Sequence, residues 1–328
     1  MYPSNSTAQK GEKNASSIPA KRKMQKKPSL KKLFFKTLIK CNPLDPFCQI
    51  SRDLMKLLGV LDGYDERYYW AMRNQFRKIF QKYWGYDLKG FTNFPDSGGA
   101  LVISNHQSEL DPFLVGSSVH RKIQWLSKQE NFKIPLFRSF ITPFGTLPLR
   151  RGEKDVEALN RVRNVLEMGG CVGMFPEGTR SPDGVLGSFH SGAGRLCIET
   201  GVPYIPCAIF GAYKVFPKHA GVGAIKWKGG FKISVSIGRP VYIDPSMELT
   251  YENVQKVRDA MRQDVLTLQS GEMNQSRIIG EKTEIFLSEN EKIKSKQHSQ
   301  SEDFVKDESF QISEYQEKDS VKLGTPEV

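Results

Sequence analysis

Leu101-Val102-Ile103-Ser104-Asn105-His106-Gln107-Ser108-Glu109-Leu110-Asp111-Pro112-Phe113 is an apolar run that breaks into polar residues and restarts at a proline. A buried strand, a short loop and the first turn of a helix account for that order. Pro112 fits the first helical position, where its missing N–H costs nothing, and Asp111 is then expected as the N-cap. A second stretch has the same build: Val172-Gly173-Met174-Phe175 runs into Pro176-Glu177-Gly178-Thr179-Arg180-Ser181. Working outward, strands are expected near 86–91, 100–104, 123–127, 171–175, 204–210 and 232–237. Helices are expected over 112–119, 132–140, 153–168, 191–200 and 250–268. Asp96-Ser97-Gly98-Gly99, Gly169-Gly170 and Gly229-Gly230 supply turns between them. The alternation predicts an α/β fold with a mostly parallel sheet flanked by helices. Active sites in that architecture gather at the carboxyl ends of strands.

The chain has 328 residues, 38% hydrophobic and 26% charged, enough for one large domain or two small ones. No run approaches the ~18 apolar residues of a membrane span, which excludes a polytopic membrane protein. No apolar stretch of about 7–15 residues opens the chain, so no secretory signal is expected. Its five cysteines (Cys41, Cys48, Cys171, Cys197, Cys207) form no CxxC pair and are odd in number. That argues against a disulfide framework or zinc module and suits a reducing compartment. His and acidic residues show no ligand spacing, so no metal is expected.

The net charge of +12 is unevenly spread. Residues 1–40 carry eleven Lys/Arg against Glu12, whereas 269–328 carry eight basic and thirteen acidic residues. Residues 1–29 are expected to be a disordered basic tail and 269–328 a disordered acidic one, since neither can bury enough surface to offset its ordering entropy. An organelle transit peptide is the other reading of the first thirty residues, disfavoured because arginine is almost absent. Between 30 and 84 the pattern is helical and amphipathic. Leu30, Leu33, Phe34 and Leu38 share a face opposite Lys32, Lys36 and Lys40, and Trp70, Phe76, Phe80 and Trp84 line a later helix. Such helices suit an anionic membrane surface or simple docking on a core. The α/β domain is expected over 85–268.

Two pieces carry chemistry. His106 leaves a strand five residues before Asp111, so its imidazole can fold back to that carboxylate and leave the other ring nitrogen free to take a hydroxyl proton. Equally, Asp111 can only cap the helix while His106 satisfies loop backbone. The Pro176–Arg180 turn offers backbone N–H groups, a hydroxyl and a guanidinium, a phosphate cradle or a plain surface turn with an Arg–Glu pair. Phe144 to Gly152 ends on Arg150 and Arg151.

In this order the pieces resemble the glycerolipid acyltransferase family, the group that includes 1-acyl-glycerol-3-phosphate acyltransferases. The N-H-x4-D block is matched by Asn105, His106 and Asp111, and a Gly followed by a strand ending in Arg by Gly145 to Arg151. F-P-E-G-T-R-S is matched without a change from Phe175 to Ser181, and V-P-x-I-P by Val202 to Pro206. Lys128 and Glu130 look like the family's lesser K-x-E element. The resemblance covers roughly 86–245. One departure is His190 where the family usually carries a Lys.

The resemblance implies acyl transfer from acyl-CoA or acyl carrier protein, a co-substrate rather than a cofactor, to the hydroxyl of a lysophospholipid. The acceptor implied first is 1-acyl-glycerol-3-phosphate, giving phosphatidate. His106 is then the general base and Asp111 its orienting partner. Gly178, Thr179, Arg180 and Arg151 hold the acceptor phosphate. Asn105, Glu177 and Pro206 support the site, Pro206 as part of an acyl-binding wall, and Glu177 either orders its turn or pairs with an Arg. Partners are a lipid bilayer with anionic lipids, and the expected location is peripheral, on the cytoplasmic side of a membrane. Another glycerolipid acceptor, or non-catalytic lipid binding on the same fold, remains the alternative. Nucleic acid is not expected, because the basic charge is a tail without an aromatic–basic platform.

Overall fold

The computed structural model describes residues 52–150, 155–220, 224–280 and 284–287. The expected helix over 30–41, the basic tail, Arg151 and most of the acidic tail lie outside them.

Strand β2 (Ala100–Ser104) is buried at every position, as a strand covered on both faces must be. It sits mid-sheet between β5 (Cys171–Met174) and β6 (Tyr204–Phe210), parallel to both. Beyond β5 lie β3 (Ile123–Lys128) and β4 (Leu147–Leu149), also parallel. The core order is therefore β6-β2-β5-β3-β4. Its crossovers are the helices α2 (Asp111–Ser118), α3 (Pro135–Ile141), α4 (Val156–Glu167) and α5 (Gly192–Thr200). Because β5 inserts between β2 and β3, the loops that leave β2 and β5 emerge side by side.

A short helix α6 (Ala212–Val215) follows β6. On the far edge of β6 the sheet turns antiparallel, through β7 (Ser234–Ile237) and β8 (Val241–Ile243). Strand β1 (Asp87–Lys89) runs parallel to β7. The mostly parallel α/β fold expected from the sequence is the one observed.

Strands 100–104 and 204–210 fall where expected. The helix expected over 132–140 is split instead. A 3-10 turn occupies Gln129–Lys133 and α3 starts afresh at Pro135, whose fixed φ suits a first turn.

Two boundaries differ from expectation. Helix α1 (Leu61–Trp84), expected in the amphipathic segment ahead of the α/β domain, packs into that domain's core. Tyr69, Phe80 and Trp84 are buried, and Phe80 and Trp84 pack with Val102, Leu114 and Ile233 in one core. Burying a Phe is worth about 1.5–3 kcal/mol, so this aromatic stripe binds α1 firmly to the domain. The stretch before it leaves Leu54, Leu57 and Leu58 exposed.

The domain also continues past 268, into what the sequence read as acidic tail. After α7 (Tyr251–Gln269), β9 (Arg277–Ile279) pairs parallel with β8, and β10 (Glu284–Phe286) pairs with β9. Three-residue strands are too short to show a period. What holds β9 is a buried ionic contact: Arg277 Nη1 donates to Asp264 Oδ1 at 2.9 Å, and Tyr204 donates its hydroxyl to Asp264 Oδ2 at 2.6 Å.

Candidate active site

The loop leaving β2 wraps around one carboxylate. Asp111 Oδ2 lies 2.8 Å from His106 Nδ1 and accepts the backbone N–H groups of Gln107 at 2.6 Å and Ser108 at 2.7 Å. Asp111 is therefore not the N-cap expected. It is the first helical residue, Leu110 holds the cap position, and the carboxylate reaches back into the loop rather than forward to the helix. Asp111 is wholly buried, and its Oδ1 has no hydrogen-bond partner among the described residues. Burial pushes its pKa up, while the His106 contact and the loop N–H groups pull against that shift. A carboxylate at Nδ1 fixes that nitrogen as the proton-bearing one and leaves Nε2 with its lone pair.

Three stacked rings hold the imidazole. His106 lies on Phe175 at 4.0 Å between centroids and 12° between planes, and Phe175 lies on Trp125 at 4.6 Å and 16°. Gly173 makes the stack possible, because a Cβ there would come within 2.5 Å of the Trp125 ring.

Glu177 chooses between the readings left open for it. It orders the loops, and among the described residues it pairs with no arginine. Oε1 accepts the His106 N–H at 2.7 Å, and Oε2 accepts the Gly187 N–H at 2.8 Å. Burial raises its pKa, opposed by those two N–H groups. The Ser181 N–H donates in turn to the His106 carbonyl at 2.7 Å. His106 is thus clamped on both backbone groups by the turn that follows β5.

Asn105 works on the other flank. Its Nδ2 donates to the Ile209 carbonyl at 2.9 Å and its Oδ1 accepts the Ile209 N–H at 2.7 Å, tying the loop to β6.

A cavity of about 710 Å³ opens at His106. Its polar rim includes Gly178, Thr179, Arg180, Lys128, Arg150 and Lys218. Arg180 Nη2 lies 3.0 Å from Glu109 Oε1. His190, the position that departs from the family, also borders the cavity, and a Cβ on Gly178 (φ +67°) would meet its ring at 2.9 Å. The deeper wall is apolar and comes from α1, α2, β3 and the segment 137–144, with Phe76, Phe113, Trp125, Phe137, Ile141 and Phe144 among its residues.

Most of the expected site residues therefore converge: His106, Asp111, Gly178, Thr179 and Arg180, with Asn105 and Glu177 behind them. Pro206 does not. It lies inside β6, its carbonyl accepts the Gly238 N–H at 2.7 Å, and it borders no part of the cavity. The wall expected of it is supplied by α1, which the sequence offered only as an aromatic stripe. Lys218 has no motif around it and was missed; only its place after β6 puts it on the rim. Among the described residues no three His, Cys, Asp or Glu side chains gather as a metal group, and no helix is long and apolar enough to cross a membrane.

Residues 86–210 match the family model described as Acyltransferase. A chloroplastic 1-acyl-sn-glycerol-3-phosphate acyltransferase of Brassica napus is 34% identical over 178 residues, 53% of this chain and 50% of that protein. One from Arabidopsis thaliana is 32% identical over 201 residues, 58% of this chain and 55% of its own. The chain spans about half the length of these curated relatives. The crystal structure of the 1-acyl-sn-glycerophosphate (LPA) acyltransferase PlsC from Thermotoga maritima superposes with a TM-score of 0.50 at 26% identity, covering 73% of this chain and 93% of that one.

Proposed function

We propose, from the match of residues 86–210 to the family model described as Acyltransferase, that this chain moves a fatty acyl group from acyl-CoA or acyl carrier protein to the hydroxyl of a lysophospholipid, foremost 1-acyl-glycerol-3-phosphate, giving phosphatidate. The reading rests on one observation: His106 Nδ1 lies 2.8 Å from a buried carboxylate where a cationic rim meets an apolar cavity.

In this mechanism Asp111 holds the Nδ1–H tautomer and His106 Nε2 accepts the acceptor's hydroxyl proton as its oxygen attacks the thioester carbonyl. The new C–O bond forms, the C–S bond breaks, and the proton passes from the imidazolium to the departing thiolate. Asp111 stabilises the imidazolium in between. A thioester is already activated, so the step needs neither an acyl-enzyme nor a cofactor.

Arg180, Thr179 and the N–H groups of the Gly178 turn receive the acceptor phosphate, which takes the place of Glu109 on the guanidinium. Acyl chains lie against the wall from α1, α2 and β3. Exposed Leu54, Leu57 and Leu58, with the basic residues 1–40 before them, fit peripheral attachment to the cytoplasmic side of a membrane.

The test is His106→Ala in a thiol-release assay with acyl-CoA and lysophosphatidate. Turnover is expected to fall about 10²–10⁴-fold with the melting temperature nearly unchanged. A variant that keeps most of its turnover overturns the assignment.

A further inference from the structure

Residues 67–86 carry five Lys/Arg and residues 200–243 carry six, with no Asp or Glu in either stretch. The fold lays parts of both side by side. Trp227, in the connection from α6 to β7, stacks on Trp84 at the end of α1 with 5.2 Å between centroids, and Tyr83 meets Trp227 edge-on at 5.3 Å. The mount is fixed. Buried Trp84 donates Nε1–H to the Lys226 carbonyl at 2.9 Å, and the Lys226 N–H donates to the Val215 carbonyl at 3.1 Å.

The outer rings stay uncovered, Trp227 at 44% and Tyr83 at 40% exposure. Lys82, Lys226, Lys228 and Lys232 beside them in the chain are all exposed. The Lys82 ammonium sits over the Tyr83 ring at 5.3 Å, and that of Lys226 over Phe231 at 5.4 Å.

This ledge lies at the functional end of the sheet. The Ile233 N–H donates to the Trp84 carbonyl at 3.0 Å, and the next residue, Ser234, pairs with Phe210 at the carboxyl end of β6. Asn105 is bonded to Ile209 at the same end, and Lys218 from the same connection lines the cavity rim.

We propose that Tyr83, Trp227 and the lysines around them form a docking surface for anionic phospholipid headgroups, distinct from the chain N-terminal to α1. Rings with an apolar body and a polar tip seat at the headgroup level of a bilayer, and lysines beside them attract anionic lipid. An acidic protein would also meet the lysines, but it gives no reason for half-exposed Trp and Tyr rings to stand out between them. That the ledge lets a lysolipid pass from the bilayer to His106 rests on the acyltransferase reading; the docking itself does not.

The experiment uses the full chain with vesicles of phosphatidylglycerol and phosphatidylcholine, part of the latter brominated on its acyl chains. Tryptophan fluorescence is expected to be quenched on binding. In a Trp70→Phe background, which removes the other partly exposed indole, Trp227→Phe keeps a ring on Trp84 and should remove most of that quenching, because Trp84 and Trp125 are 1% and 7% exposed. Lys226→Gln with Lys228→Gln should weaken binding to anionic vesicles on the order of tenfold and leave turnover of a soluble short-chain acyl-CoA and acceptor unchanged. Quenching that persists in Trp227→Phe, or vesicle affinity unchanged in the lysine pair, overturns the proposal. So does a surface that binds acidic carrier protein but no vesicles. If the ledge behaves as expected while no acyl transfer is found, the docking stands and the enzymatic reading falls.

Discussion

Glu177 Oε1 accepts the backbone N–H of His106 at 2.7 Å, three residues beyond the point where Ile103 and Met174 stand opposite each other in adjacent strands. The parallel ladder between β2 and β5 carries that register outward. It delivers two residues 71 positions apart in the chain to one hydrogen bond. Glu177 touches no part of the proposed chemistry; it positions the loop that holds the base.

Removing Glu177 tests that role. Glu177→Ala strands the His106 and Gly187 N–H groups, each at about 1–3 kcal/mol where buried. Both the melting temperature and turnover should fall. Glu177→Gln keeps one accepting oxygen and should recover part of each, read by thermal unfolding beside thiol release.

Asp111 sets a pH dependence. Its folded pKa is raised by burial, so between the unfolded value and the raised one the native state holds more protons than the unfolded chain. Its contribution to stability is therefore full below the ordinary carboxylate range and is lost as pH rises through the folded pKa. Asp111→Asn keeps an oxygen for the Gln107 and Ser108 N–H groups and removes the charge. The variant should lose turnover, yet its melting temperature should decline less than that of the unaltered chain as pH rises through this window. Parallel curves of melting temperature against pH would count against a costly buried charge.

Gly173→Ala should act at a distance. Its Cβ falls within 2.5 Å of the Trp125 ring, and displacing that ring shifts Phe175 and then His106. Overpacking of this kind costs about 1–3 kcal/mol. The expected signature is a lowered kcat with little change in KM, measured by steady-state kinetics on the folded fraction.

Gly116 lines the apolar wall, and a Cβ there has only ordinary contacts, 3.6 Å from the Tyr69 hydroxyl. Gly116→Ala should be tolerated, whereas Gly116→Leu fills part of the cavity. Competition between donors of different chain length should then favour shorter chains. An unaltered preference would place the acyl chain elsewhere.

The His106–Asp111 contact was legible in the chain because it is local: the two residues are five apart, and a loop between a strand and a Pro-started helix can close that gap by itself. The strands at 100–104 and 204–210 were legible for a similar reason, since a strand buried on both faces is written as a continuous apolar run. The Phe175–Ser181 turn was likewise recognisable as a run of residues.

Which groups meet across the sheet depended on strand order, and no local pattern encodes that. Inserting β5 beside β2 decided that Glu177 clamps the His106 backbone. Docking of α1 decided that its aromatic stripe walls a cavity, and the same packing left Pro206 out of it. Strand β9 was hidden because three residues show no period, and its hold comes from Asp264 on the preceding helix, which is bonded in turn by Tyr204, distant in sequence. Local order in the chain set the chemistry of each loop; tertiary packing set which loops share a site, because hydrogen bonds and stacked rings act over a few ångströms of space whatever the separation along the backbone.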